Sequence, residues 1–367
     1  MKRRAFLRET GRAALGAALL TNLTPAQGKS FGGLEPEAVW RTRIAKFERD
    51  LPIMMAGAKV PGLSAAIIRD GRLRWRRAFG VKDNATKTPV HVDTIFEAAS
   101  MSKPVFAYAV MKLSERKVID LDTPLTHYVS ERLIEGDPRL DLITARHVLS
   151  HTSGFQNWRS RSEPLAIHFQ PGERFSYSGE GYSYLESVVT HLVGEPFDPF
   201  MRANVLTPFQ MASSGYVWND MFERRMALPH DRDGKPLPRK RSSIEDVARY
   251  GSAGALLTTP TDYAKFLIEV IAPTRSDRFR LEPTTREEML RPAIALQDPR
   301  AGSWALGWAL PPSPKRIIAH GGDNEGFHCW AVASVERKCG FVLMTNGESG
   351  AEWLQQLITG EVMQPFV

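Results

Sequence analysis

With only two cysteines in 367 residues, the chain cannot be held by a disulfide framework. Cys329 and Cys339 flank a hairpin predicted to turn near Glu336-Arg337-Lys338, one beside the turn and the other several residues along the opposite strand. At about 3.3 Å per residue they stand too far apart to be bridged, so two free, buried thiols are expected. Equally absent are a Gly-x-Ser-x-Gly elbow, a phosphate loop and a dinucleotide fingerprint, and with them the chemistries those motifs serve. Metal-ligand patterns are fragmentary. His147 and His151 have a four-residue spacing that can chelate zinc, but no third ligand and no glutamate of a His-Glu-x-x-His motif accompany them, so they read as helix-end packing. Asp231-Arg232-Asp233-Gly234 lacks the rest of a calcium loop.

A large excess of one charge is missing too. Lys and Arg number 48 against 41 Asp and Glu, a formal +7. Residues 1–28 carry five of the basic and one of the acidic residues, so the remainder holds 43 against 40, an excess of +3. That is too small to argue for nucleic acid, and Arg239-Lys240-Arg241 reads as a solvated loop. The basic start, Lys2-Arg3-Arg4-Ala5-Phe6-Leu7-Arg8, leads into a short apolar stretch from Ala13 to Leu20 and small residues at Thr24-Pro25-Ala26. This is the layout of a signal peptide over residues 1–28, too short to remain as a membrane anchor. Its Arg-Arg-x-Phe-Leu order resembles a twin-arginine export signal, which implies an exported periplasmic or secreted protein; no cysteine near the exit offers a lipid attachment point. Proteins exported folded mature in a reducing cytoplasm, consistent with free thiols.

At 43% hydrophobic and 24% charged, the chain is globular, with one large or two interleaved domains. Helical spacing runs from residue 36 to 57, with Val39, Ile44, Phe47 and Leu51 on one side. Strand-like runs follow at Leu63 to Ile68 and Leu73 to Val81, joined by the hairpin signal Asp70-Gly71. From Val105 to about Ser242 the sequence is helical and loop-rich, punctuated by Pro124, Pro138, Pro171 and Gly194-Glu195-Pro196. Strands return at Gly307 to Leu310, Arg316 to Ala319, Cys329 to Val335 and Phe341 to Thr345, and a last helix is expected from Glu352 to Met363. The expected fold class is α+β: an antiparallel sheet flanked by terminal helices, formed by residues 29–104 and 245–367, with a mostly helical domain over 105–244 inserted.

Chemistry is concentrated at Ser100-Met101-Ser102-Lys103-Pro104, where small residues open an apolar helix and Pro104 falls early enough for its missing N–H to matter little. Ser100 and Lys103, at i and i+3, share a helix face. A serine hydroxyl needs a base to attack a carbonyl carbon, and a lysine can be that base if burial makes it neutral. The same spacing at Ser114-Glu115-Arg116-Lys117 lies among charges and reads as a solvated helix end. Tyr177, in a segment rich in Tyr, Ser and Gly before a helical pattern, could shuttle a proton if nearby cations pull its pKa below the usual value of about 10. Ile317-Ile318-Ala319 runs into His320-Gly321-Gly322-Asp323, where glycines after a short strand would let a substrate lie against the backbone and His320 could hydrogen-bond it.

Together and in order, these segments resemble the serine β-lactamase-like family of class C β-lactamases, D-alanyl-D-alanine carboxypeptidases, D-aminopeptidases and related carboxylesterases. Ser100-Met101-Ser102-Lys103 is similar to its first motif, Tyr177-Ser178-Gly179 in part to its Tyr-x-Asn motif, and His320-Gly321-Gly322 to the His-x-Gly variant of its Lys-Thr-Gly motif. Leu149 to Phe155, Pro171-Gly172-Glu173, Gly254 to Tyr263 and Leu306-Gly307-Trp308 look like further signatures. The resemblance implies a β-lactamase/transpeptidase-like fold. It makes Ser100 the nucleophile of an acyl-enzyme, Lys103 its base, Tyr177 the proton shuttle, the N–H groups of Ser100 and Asp323 the oxyanion hole, and His320, Gly321, Gly322 and Gly179 substrate contacts. It needs no metal or organic cofactor. Gly179 and His320 replace the family's asparagine and lysine, which favours a carboxylesterase-like enzyme on small ester, amide or peptide-like substrates over a β-lactamase or peptidase. A secreted binding protein without turnover is the alternative from another class, and the oligomeric state stays open.

Overall fold

The computed structural model describes residues 35–160 and 162–367; the predicted export segment lies outside them. A nine-stranded sheet forms the spine. Its long strands are β1 (Gly62–Arg69), β2 (Arg72–Asp83), β3 (Ile317–Asn324), β4 (Phe327–Ser334) and β5 (Cys339–Thr345). They pair antiparallel in the order β2, β1, β5, β4, β3, so the N-terminal hairpin closes against the last strand of the chain. Thr88–Pro89 extends the sheet beyond β2, while Ala309–Leu310, Ser303–Trp304 and Ile294–Ala295 extend it beyond β3. The β1–β2 turn is made by Asp70 and Gly71 with φ of +53° and +64°, the doubly left-handed pair that suits strand twist.

Strand periodicity divides the core into two layers. Leu63, Ala65 and Ile67 of β1 and Phe341 and Leu343 of β5 face one layer, with Trp40 and Phe47 of α1 (Glu37–Gly57) and with Trp353 and Leu354 near the C-terminus. Ala66, Ile68, Val342 and Met344 face the other, beneath the central helices. Val39, expected on the buried side of α1, is exposed, and Trp40 takes its place. The central helices that matter for the site are α2 (Ser102–Glu115), α3 (Gly179–Val193), α4 (Ile244–Gly254) and α5 (Pro260–Ile271); α6 (Gly350–Thr359) closes the other layer. Among the described residues no helix is long and apolar enough to cross a membrane.

Cys329 and Cys339 are both buried and free, as their spacing implied. One sequence expectation fails in this region. His320, Gly321 and Gly322 do not follow a short strand ending at Ala319 but lie within β3, which runs on to Asn324 and turns at Glu325-Gly326. The glycines are there for room. A Cβ on Gly321 would come 2.9 Å from the Trp330 indole, and one on Gly322 would come 2.2 Å from the main-chain oxygen of Ala98. β3 therefore lies directly against the turn that carries Ser100.

Candidate active site

Ser100 sits in a single 3-10 turn, Ala99–Met101, that feeds α2. Ala99 has φ +47°, a left-handed conformation that costs a residue with a side chain about 1–2 kcal/mol. The surroundings hold it in place. Ser102 Oγ donates to Ala99 O at 2.6 Å and accepts from Leu256 N at 3.0 Å, and the Tyr263 hydroxyl donates to Met101 O at 3.0 Å. The partly buried Ser100 hydroxyl is thus presented from a rigid corner.

Lys103, one turn on, is 1% exposed. Its Nζ donates to Ser100 Oγ at 3.2 Å and to Ala253 O, at the end of α4, at 2.7 Å. It also lies 4.8 Å from the centroid of the Tyr177 ring. Burial lowers its pKa from 10.5 to about 7, so a substantial fraction is neutral amine near neutral pH. This is the state a base for Ser100 requires.

Tyr177 precedes α3, whose start is capped by Ser178 Oγ accepting from Gly181 N at 2.9 Å. Its phenol is buried beside Ser100. The condition of a phenol lowered by nearby cations is not met: burial pushes the phenol up, against a smaller downward pull from the Ser100 hydroxyl. Tyr177 stays protonated and can pass a proton on through its O–H, which forms no hydrogen bond in the resting site among the described residues.

His320 is buried at a ring-centroid distance of 6.3 Å from Tyr177. Its Nδ1 lies 2.7 Å from Gly321 O, and because a carbonyl only accepts, Nδ1 carries the proton and Nε2 is left as an acceptor. Burial, helped by the nearby Lys103, lowers its pKa to about 3, so the ring is neutral. Gly322 shares the face of His320, whereas Gly321 faces Trp330 in the opposite layer and can meet a substrate only through its main chain. Asp323 follows, opposite His328 of β4; the two side chains bond at 2.6 Å.

Three further residues belong here: Ala253 and Glu186, which no sequence motif marked, and His151, which the sequence offered only as helix-end packing within the Leu149–Phe155 signature. His151 is fully buried, stacks on Tyr177 at 4.1 Å and accepts at Nδ1 from Ser178 N at 3.0 Å. It is a support for the phenol rather than helix-end packing, unlike His147, which completes a capping box with Thr144. Ala253 contributes only its carbonyl, as described. Behind it Glu186 of α3, 1% exposed, accepts from Ser252 N at 2.6 Å and so holds the end of α4 that faces Lys103.

The β-lactamase family model matches residues 47–357, and the chain belongs to that family, whose members are serine hydrolases. Among its relatives is esterase EstB of Burkholderia gladioli, 31% identical over 237 residues; the match spans 55% of this chain and 58%, little more than half, of that esterase. Two solved structures share the fold. The octameric penicillin-binding protein homologue from Pyrococcus abyssi superposes with a TM-score of 0.72 at 23% identity, covering 88% of this chain and 79% of that one. The D-alanine carboxypeptidase AmpC from Burkholderia cenocepacia gives 0.70 at 18% identity, covering 86% and 99%.

Proposed function

We propose that this chain is a carboxylesterase-like hydrolase that acylates Ser100 with small, neutral esters. Lys103, as the free amine, takes the Ser100 proton while Oγ attacks the ester carbonyl carbon. The oxygen of the tetrahedral intermediate turns towards the N–H groups of Ser100 and Asp323. Tyr177 relays the proton to the departing alkoxide, the acyl C–O bond breaks, and water then hydrolyses the acyl-enzyme to a carboxylic acid.

The observation that carries the choice of substrate is the neutral imidazole of His320. A pKa of about 3 leaves it uncharged at any physiological pH, with an acceptor and no cation to offer a substrate carboxylate. An anionic penicillin or a peptide C-terminus would bring an unpaired charge into a buried site, which disfavours both. The 31% identity to an esterase supports the same choice. The test is a comparison of p-nitrophenyl butyrate with nitrocefin on the purified protein. Ester turnover should exceed nitrocefin turnover by about 100-fold or more in kcat/KM, and the reverse ranking would make the chain a β-lactamase. The Arg3-Arg4 leader supports export to the periplasm or beyond, which cell fractionation of the full-length chain, with Arg3-Arg4→Lys-Lys as control, would check.

A further inference from the structure

Gly179 is the first residue of α3 and stands two positions after Tyr177. Its φ is not in the left-handed region, so the backbone does not require glycine there. The space does. A Cβ on Gly179 would come 2.3 Å from Trp158 Cζ2 and 2.5 Å from Cε2 and Cη2, so the indole lies flat where a side chain would leave the helix.

The loop that delivers Trp158 is clamped on both sides. Asn157 O accepts from Gly179 N and Glu180 N at 3.0 Å, and Asn157 Oδ1 accepts from Gly179 N at 3.0 Å. Arg159 N donates to Glu180 Oε1 at 3.1 Å, and the Arg159 guanidinium pairs with the same oxygen at 3.4 Å. The two charges flanking the indole therefore neutralise each other. On its far side Trp158 meets Tyr250 of α4 edge to face at 5.5 Å. Both rings are half-buried, and they bridge the helix that follows Tyr177 and the helix whose end holds Lys103. The indole thus packs on α3 two residues after Tyr177 and, through Tyr250, on α4 three residues before the carbonyl that holds Lys103; the Arg249 guanidinium lies over the Tyr250 ring at 5.0 Å.

We propose, resting on the esterase reading above, that Trp158 is the specificity-determining residue of the acyl subsite, selecting apolar acyl chains that lie along the indole and rejecting acyl groups that carry an amide. An alkyl chain of four or more carbons gains apolar contact with the ring, whereas an acylamino group must give up hydrogen bonds to water to lie against its face.

The experiment uses p-nitrophenyl acetate, p-nitrophenyl hexanoate and the p-nitrophenyl ester of N-acetylglycine with the full chain. Wild type should prefer hexanoate to N-acetylglycine by about tenfold or more in kcat/KM. In Trp158→Ala the ratio of hexanoate to acetate should fall about fivefold or more; a global loss of fold would lower both rates and leave that ratio alone. Gly179→Ala, whose new methyl must displace the indole, should lower the ratio as far, and adding it to Trp158→Ala should lower it little further. A ratio in both single variants within about twofold of wild type overturns the subsite while leaving the esterase reading standing. Absence of turnover of all three esters by wild type takes down both.

Discussion

Lys103 Nζ donates a 2.7 Å hydrogen bond to the main-chain oxygen of Ala253, 150 positions along the chain, while lying 3.2 Å from the hydroxyl of Ser100. A carbonyl can hold the amine in place in either protonation state, because even a neutral amine keeps N–H bonds to donate. A carboxylate in the same position would have stabilised the ammonium and raised its pKa. Burial with a carbonyl partner leaves it at about 7.

The pH dependence follows. In the proposed mechanism the neutral amine is the active form, so kcat/KM for a neutral ester should rise with pH along a limb of unit slope centred near 7 and level off above it. His320, already neutral, should add no second limb between pH 5 and 9. A stopped-flow or plate-based profile with an uncharged ester checks this; a rate independent of pH from 5 to 8 would remove Lys103 as base.

Removing the groups separately should split activity from stability. Ser100→Ala should lower hydrolysis about 10³-fold or more and abolish labelling by a fluorophosphonate. Lys103→Met should be nearly as inactive, yet its melting temperature should equal or exceed that of wild type, since the substitution fills the same space without burying a charge. Thermal unfolding beside an esterase assay measures both.

How far this site can be read from the sequence depends on whether each part is a side chain in a local pattern. Ser100 and Lys103 are legible because one helical turn sets their distance. The β1–β2 hairpin is legible because Asp70-Gly71 supplies two left-handed residues in succession. His151 reads as an ordinary helix-end residue because its partner ring, Tyr177, comes from a separate stretch of chain. The glycines of β3 read as the end of a strand, and only their pairing with Trp330 and Cys329 of β4 shows that the strand runs through them. Ala253 acts through its backbone and leaves no signal at all. The direction of the Tyr177 pKa is not legible, since composition cannot tell how deeply a phenol is buried.

Glu186 should act as a positioning residue. It accepts from Ser252 N at 2.6 Å, next to the carbonyl that holds Lys103. Burial raises its pKa to about 7, so it is easily kept neutral and glutamine is a close substitute. Glu186→Ala leaves a buried N–H unpaired and should cost about 1–3 kcal/mol in urea unfolding, with kcat falling about tenfold. Glu186→Gln should recover most of both. Equal loss of kcat in the two variants would instead point to the carboxyl proton.

His328 should make stability depend on pH in a way that can be isolated. Burial alone would lower its pKa, but Asp323 at 2.6 Å and Glu348 at 3.5 Å outweigh it and raise the value from 6.5 to about 9. The folded state binds this proton more tightly than the unfolded chain, so the stabilisation is complete below pH 6.5 and is lost as pH climbs through 9. Its size is on the order of 3 kcal/mol. Lys103 runs the opposite way, because its folded pKa of about 7 lies below 10.5 and folding gains as pH rises between them. The two offset each other in wild type over pH 7 to 9, which hides both in a single stability curve. Comparing wild type with His328→Gln separates them: the difference in unfolding free energy should be largest near pH 6 and shrink steadily towards pH 9.5. A difference constant across that range would mean that His328 acts by packing alone, with its proton uninvolved.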